Sequence, residues 1–304
     1  MTNETAIRFK PNDFFDAQEW AALSRLSAWR GLWLVVHAWG VIGICMVAAY
    51  FVPWLIPLCI MIVGTRQLGL GILMHDAAHG LLHPNRRIND WVGENLCAAG
   101  LLSYRKYHLS HHRLAQKSAD PDLVLSAPFP VSKESFRRKV IRDLSGQTYF
   151  KQRYGKLARA VGKGAWREAF AEIVRQRKFF ALNLSFLAAF SVAGLGWLWV
   201  VLWLIPHMCW FALVTRLRNI AEHALIAENE PDPRLVARTT LTNWIGRILV
   251  APYYVNYHCE HHLFMGLPCW TLPRAHRVLR EKGLADKLLV APGYVSVLRA
   301  AAGA

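Results

Sequence analysis

The sequence predicts an all-α integral membrane protein: four transmembrane helices in two hairpins, with a cytoplasmic helical cap that holds a histidine-rich metal site. Three observations predict it. The 304-residue chain is 54% apolar with a positive mean hydropathy, which is high for a soluble protein. Its apolar runs are long enough to cross a bilayer. Nine of its thirteen histidines fall in four tight groups.

The first apolar run extends from Leu32 to Tyr50 and the second from Phe51 to Met74, with Pro53 and Pro57 at the junction. This reads as a tight hairpin of spans at 32–50 and 51–74. Arg66 and Gln67 interrupt the second run. They are costly in hydrocarbon, so that side of the helix must face protein or a hydrated cavity. Trp91–Leu102 is apolar but too short to span, and is expected as an interfacial or re-entrant segment. A second apolar block, Phe179 to Val214, has room for two spans at 179–195 and 197–214. They would turn near Gly194–Gly196, with Pro206 as a kink. The apolar patch Trp244–Val255 would lie on the membrane or under the metal site, and Thr271–Ala304 reads as partly amphipathic helix. With no internal repeat or low-complexity segment, residues 1–304 are expected to form one membrane domain.

The formal charge is +16. Between Lys133 and Lys178 there are fourteen Lys or Arg and four Asp or Glu, a net +10. This charge lies between and beside apolar runs, so a positive surface facing the membrane accounts for it and no nucleic-acid partner is expected. Two hairpins put the N-terminus, residues 75–178 and residues 215–304 on one side. The dense positive charge makes that side cytoplasmic, and a bacterial inner membrane is the expected location. Residues 1–30 are mixed and charged, unlike a cleavable leader, so the first span itself is expected to direct insertion. The six cysteines form no CxxC pair, against a disulfide scaffold or an internal iron–sulfur or rubredoxin-like centre.

The histidine groups are His75 and His79 in HxxxH; His108, His111 and His112 in HxxHH; His223 after the last predicted span; and His258, His261 and His262 in a second HxxHH. Residues i and i+4 share a helical face, so His75 and His79 can address one metal region. Within HxxHH the last two histidines diverge by about 100° around the axis, so such a triplet can reach two ions. Nine imidazoles exceed what a single ion can hold, and imidazole alone does not choose between iron, zinc, copper and nickel. A solitary histidine is most simply a hydrogen-bonded structural residue. His37, His83, His207 and His276 are read that way, His83 least firmly because it lies four residues beyond His79. Asp76, Glu222, Glu260, Asp120 and Asp122 are candidates to orient the imidazoles, with Asp76 and Glu222 best placed; Asp120-Pro-Asp122 reads equally as a turn. No GxGxxG, P-loop or recognisable Ser–His–Asp context is present, so flavin, nucleotide and hydrolase chemistry have no support.

This set of motifs resembles the membrane fatty acid desaturase superfamily, which includes acyl desaturases, related hydroxylases and carotenoid ketolases. The resemblance runs from about Leu68 to Leu279 and is most specific in the two HxxHH groups joined to the upstream HxxxH. Downstream of the last group, His261 to His276 also looks like the family's usual tail, with Met265 where a proline is common. The resemblance implies two iron ions on the nine histidines and O2 as co-substrate. It also implies that Asn219, four residues before His223, holds a water bound to one iron while His223 is a direct ligand. Electrons would come from a separate ferredoxin-like or cytochrome-type donor, because the chain has no suitable cysteine cluster or fused haem domain. Such an enzyme removes hydrogen from unactivated C–H bonds. The positioning of the carbon chain decides between desaturation, hydroxylation and ketone formation, and the motifs do not. An acyl lipid is the leading substrate class. Carotenoid ketolation and desaturation of a small, unusual amino-acid-type molecule remain open. Two readings outside this class are a metal transporter, whose ligands would lie near mid-membrane, and a zinc hydrolase, which lacks an evident base beyond Glu222 and Glu260.

Overall fold

The computed structural model describes residues 9–303 and is predominantly helical. Among the described residues, three helices are long and apolar enough to cross a membrane: Arg30–Phe51, Pro53–His79 and Gly196–His223. The first two agree with the predicted hairpin, with a 3-10 turn at Pro53–Leu55 between them. The second continues beyond Met74, so His75 and His79 stand in its last turns.

The predicted pair at 179–195 and 197–214 breaks near Gly194–Gly196 as expected, but its helices differ in length from the prediction. Arg177–Val192 is a helix of 16 residues, about 24 Å long at 1.5 Å per residue, which is short of a hydrocarbon core of about 30 Å. It stops where Gly194 takes a left-handed conformation with φ +72°. The following helix runs past Val214 to His223 and carries a wide π-turn at Val200–Leu204. Pro206 follows at once; it cannot donate a backbone N–H, and the wider turn accommodates the lost bond. Four spans were expected and three helices have spanning length.

The chain divides into two compact units. One comprises residues 38–68 and 137–214. In it Gln67 Nε2 donates to the Trp203 carbonyl at 2.8 Å, so the polar interruption of the second span faces protein, as the cost of exposure requires. Gln176, between helices Trp166–Arg175 and Arg177–Val192, donates to the Arg153 carbonyl (3.0 Å) and to Glu172 Oε1 (2.8 Å).

The other unit comprises residues 1–37, 69–136 and 215–304 and contains all four histidine groups. Its N-terminal helix Ala17–Ser24 opens with a reciprocal Asp16–Glu19 capping box. Phe14, Phe15 and Trp20 then pack on Phe264, directly after the last HxxHH. Residues 91–102 are not one continuous helix. Helix Arg86–Val92 passes into a π-turn, and a new helix, Leu101–Leu114, begins after Gly100 at φ +102°. A short parallel pairing of Thr239–Thr240 with Val290–Ala291 and the helix Tyr294–Ala301 close the unit. Ala301 joins Phe129, Ile220 and Ala224 in a buried apolar cluster.

Candidate metal centre

Each histidine group sits where a helix end is fixed. The helix carrying His75 and His79 ends at Gly80, φ +82°, with Leu81 N donating to the Asp76 carbonyl (2.9 Å) and Gly80 N to that of Ala77 (3.0 Å). Glycine suits this left-handed exit. The last carbonyls would otherwise lack partners; Arg105 covers two of them, Nε to Ala78 O at 2.9 Å and Nη2 to Ala77 O at 3.0 Å, while also pairing with Asp90. Arg105 lies on the helix that carries His108, His111 and His112, so one cation ties the first two groups together. That helix starts with Glu94 Oε2 accepting from Gly100 N (3.0 Å) and Leu101 N (2.7 Å). His223 ends the third long helix. His258, His261 and His262 occupy a six-residue helix, His258–Leu263.

These elements bring all nine predicted histidines into one region. His75, His79, His108, His112 and His261 each offer a ligand nitrogen within 4.8 Å of the others. His111, His223 and His262 form a second such group, and His223 also groups with His258 and Glu222. The Nε2 atoms of His79 and His108 are 2.9 Å apart, those of His108 and His112 2.8 Å, and those of His112 and His261 2.9 Å. His223 and His258 meet through Nε2 at 2.9 Å.

Among the described residues, buried His75 Nε2, His112 Nδ1 and His262 Nε2 have no hydrogen-bond partner. Converging, dehydrated and partly orphaned nitrogens are costly unless a cation takes their lone pairs. The residues therefore fit metal ions, and the two imidazole groups fit a pair of them.

Electrostatics keeps the donors available. Burial, followed by repulsion from neighbouring imidazoles, holds His108, His112, His258, His261 and His262 well below the usual imidazole range, so their rings are neutral, as ligation requires. The sign of the linkage follows. In the unfolded chain these rings titrate near about 6.5, above their folded values, so the unfolded state binds more protons as pH falls through about 6.5. The metal-free protein should hold its full stability above that point and lose it below. Its melting temperature is expected to fall between about pH 7 and 5.5; a flat profile there would contradict this account.

The carboxylates divide by role. Asp120 Oδ1 lies 2.8 Å from His111 Nδ1 and orients that ring, with Asp122 3.6 Å away. Asp76 sits 3.5 Å from His75 Nδ1, and its other oxygen accepts from Cys269 N at 2.9 Å, bracing the first group against the C-terminal region. Glu222 Oε2 is 3.6 Å from His258 Nε2 and 3.4 Å from Arg218 Nη1, so its carboxylate stands among the ligand atoms themselves. Glu260, although inside the last HxxHH, bonds with His276 Nδ1 (2.6 Å) and with the Thr239 hydroxyl. Asn219 lies one turn before His223, and its buried Oδ1 has no hydrogen-bond partner among the described residues.

The four other histidines are held locally. His83 Nδ1 accepts from Asn85 N (2.9 Å), His37 bonds with the Tyr253 hydroxyl (3.1 Å), and His207 stacks on Phe211. His276 is engaged with Glu260. Sequence reasoning missed Tyr104, which stacks on His108 at 5.3 Å, and Gln116, which has no motif to announce it.

The model of the family described as "Fatty acid desaturase" matches residues 51–292. The chain is 26% identical to a dihydrorhizobitoxine desaturase of Bradyrhizobium elkanii over 281 residues, covering 86% of this chain and 76% of that protein. It is 27% identical to a beta-carotene ketolase of Paracoccus sp. (strain PC1) over 252 residues, covering 81% and 88%. Against a chloroplastic omega-6 fatty acid desaturase of Glycine max it is 22% identical over 307 residues, covering 92% and 68%.

Proposed function

Because the chain belongs to the fatty acid desaturase family, and is thus a membrane oxidoreductase, we propose that it is an O2-dependent di-iron desaturase acting on an acyl lipid or a related apolar substrate. The observation that carries this reading is the convergence of nine imidazoles from four chain segments into two adjoining groups. His75, His79, His108, His112 and His261 would hold one iron; His111, His223, His258 and His262 would hold the other, with Glu222 beside them. Bound iron would supply the redox chemistry that lets O2 accept electrons and take hydrogen from an unactivated C–H bond.

The protein's own groups serve that chemistry by position. Asp120 and Asp76 fix the rings of His111 and His75, and Asn219 Oδ1 offers an acceptor to a water on the metal. Dehydration of the cluster keeps the imidazoles neutral and competing water out. Desaturation balances as one CH2–CH2 unit, one O2, two electrons and two protons giving one CH=CH unit and two waters. The two electrons would come from a separate ferredoxin-like or cytochrome-type donor.

A second reading, desaturation of a small amino-acid-type molecule, is favoured by the similarity to the dihydrorhizobitoxine desaturase over 86% of this chain; ketolation is favoured in the same way by the ketolase. Mass spectrometry of products from cells expressing the gene under O2 tests them together. Loss of two hydrogens marks desaturation, gain of one oxygen hydroxylation, and gain of one oxygen with loss of two hydrogens a ketone. Products unchanged by O2 would overturn the oxygenase reading.

The proposed topology is a single membrane domain with four crossings, the short helix Arg177–Val192 included. Both termini and the histidine groups would face the cytoplasm of a bacterial inner membrane. Single cysteines at Gln152 and Ala302 should then resist an impermeant reagent in intact cells. Labelling of either without lysis would break the two-hairpin arrangement.

A further inference from the structure

Gln116 lies two residues beyond the helix that carries His108, His111 and His112, and its backbone N–H, its carbonyl and its side-chain Nε2 are all engaged. It is 2% exposed and adopts φ +61°, a left-handed backbone that a side chain other than glycine rarely takes. Its N–H donates to Asp120 Oδ2 at 3.0 Å, and Asp120 Oδ1 is the oxygen that holds His111. Its carbonyl accepts from Asn229 N at 2.7 Å. Its side-chain Nε2 donates to the His223 carbonyl at 3.0 Å and to that of Val236 at 3.3 Å. These bonds lead to His111 and His223, which share a potential metal group with His262; none leads to the group of His75, His79, His108, His112 and His261.

Resting on the two-iron reading, the geometry points to Gln116 as a positioning residue for one metal position only. From a left-handed backbone, its side chain has the length to reach two carbonyls, and its neutral amide NH2 supplies both donors. Glutamate keeps the length but loses the donors. Glycine accepts the backbone conformation but has no side chain.

The test is iron stoichiometry and the Mössbauer spectrum of wild type, Gln116→Glu and Gln116→Gly. Both variants are expected to fall from about two irons per chain toward about one. One of the two iron signals should weaken or change while the other keeps its parameters. The retained signal reports an intact fold, which a general loss of stability would not leave. Two signals that decline in step, or do not change, overturn the positioning role. A wild-type protein without two irons overturns the two-iron reading itself, and the selective effect with it, before any substitution is compared.

An independent observation concerns the helix Trp166–Arg175. Ala169 and Glu172 are buried, whereas Trp166 (67% exposed), Phe170 (68%) and Ile173 (47%) form an apolar stripe on its outer side at helical spacing. Exposed Arg167 stands beside the stripe, and exposed Lys163, Arg177 and Lys178 lie beyond its two ends. One residue, Gln176, separates it from the apolar helix Arg177–Val192, whose Leu184 and Val192 are exposed. An apolar face with an aromatic pair and a basic border, leading straight into an apolar helix, matches a segment lying in a membrane surface. The basic border complements anionic headgroups.

We infer that Trp166–Arg175 is an interfacial helix docked on anionic lipid. The full chain, with a benzophenone amino acid replacing Phe170, would be reconstituted in vesicles of phosphatidylcholine with or without phosphatidylglycerol and irradiated. Lipid adducts at residue 170, several-fold more abundant with phosphatidylglycerol, are expected. Adducts to a second copy, no adduct, or equal yields in the two lipids would each overturn the inference.

Discussion

Alanine in place of His261 is expected to abolish turnover and to lower iron from about two per chain to about one or fewer. His261 is 3% exposed, and its ring centroid lies 4.4 Å from that of His75, 4.9 Å from His79 and 4.7 Å from His112. One substitution thus removes a donor shared with two other chain segments and leaves a void lined by dehydrated nitrogens. Because lost activity alone could reflect misfolding, His83→Ala is the paired measurement. That ring is also buried but is engaged by Asn85 N outside the groups, so it should retain about two irons. Equal iron loss in both proteins would mean that the effect at His261 is structural.

The second large effect is expected at Asn219, where iron and turnover should separate. Asn219→Ala is expected to keep nearly all its iron while turnover falls about 10–100-fold, since on the two-iron reading its Oδ1, without a partner among the described residues, would offer an acceptor to bound water and not a ligand atom. His223→Ala, one turn away, should lose iron directly. Iron content and product formation measured side by side decide the matter; normal turnover in Asn219→Ala would reject the water-holding role.

Hydropathy made the first two spans legible, because an apolar run and a spanning helix coincide there. It did not mark where helices stop. The second span continues to His79 and the last to His223 because a polar turn remains helical wherever its ends are capped and its charges are paired, by Gly80 and Arg105 in one case and by Arg218 with Glu222 in the other. The break in Phe179–Val214 was legible at Gly194–Gly196, but the helix lengths on either side were not: the first stops at Val192 and the second runs on to His223. The histidines were legible because their spacing is local and helical. Their carboxylate supports were legible as candidates, but which ring each one serves was not, because the choice of partner is tertiary. Glu260 sits inside a histidine group yet serves His276, whereas Asp120 bends back nine positions to His111. Gln116 acts through a left-handed backbone and two distant carbonyls, features that no residue pattern encodes.

His112 and His261 meet at 2.9 Å although 149 positions separate them. While the chain is being synthesised, its first two histidine groups can be inserted with their helices long before the last group has been translated. The five-nitrogen cluster then has four of its members and the second cluster lacks His262. Pairings so distant in sequence form late in folding, and the emerging N-terminal part folds without them. On the two-iron reading metal capture would be a finishing step of biogenesis: a nascent chain stalled before residue 258 should be membrane-inserted yet unable to retain a full complement of iron.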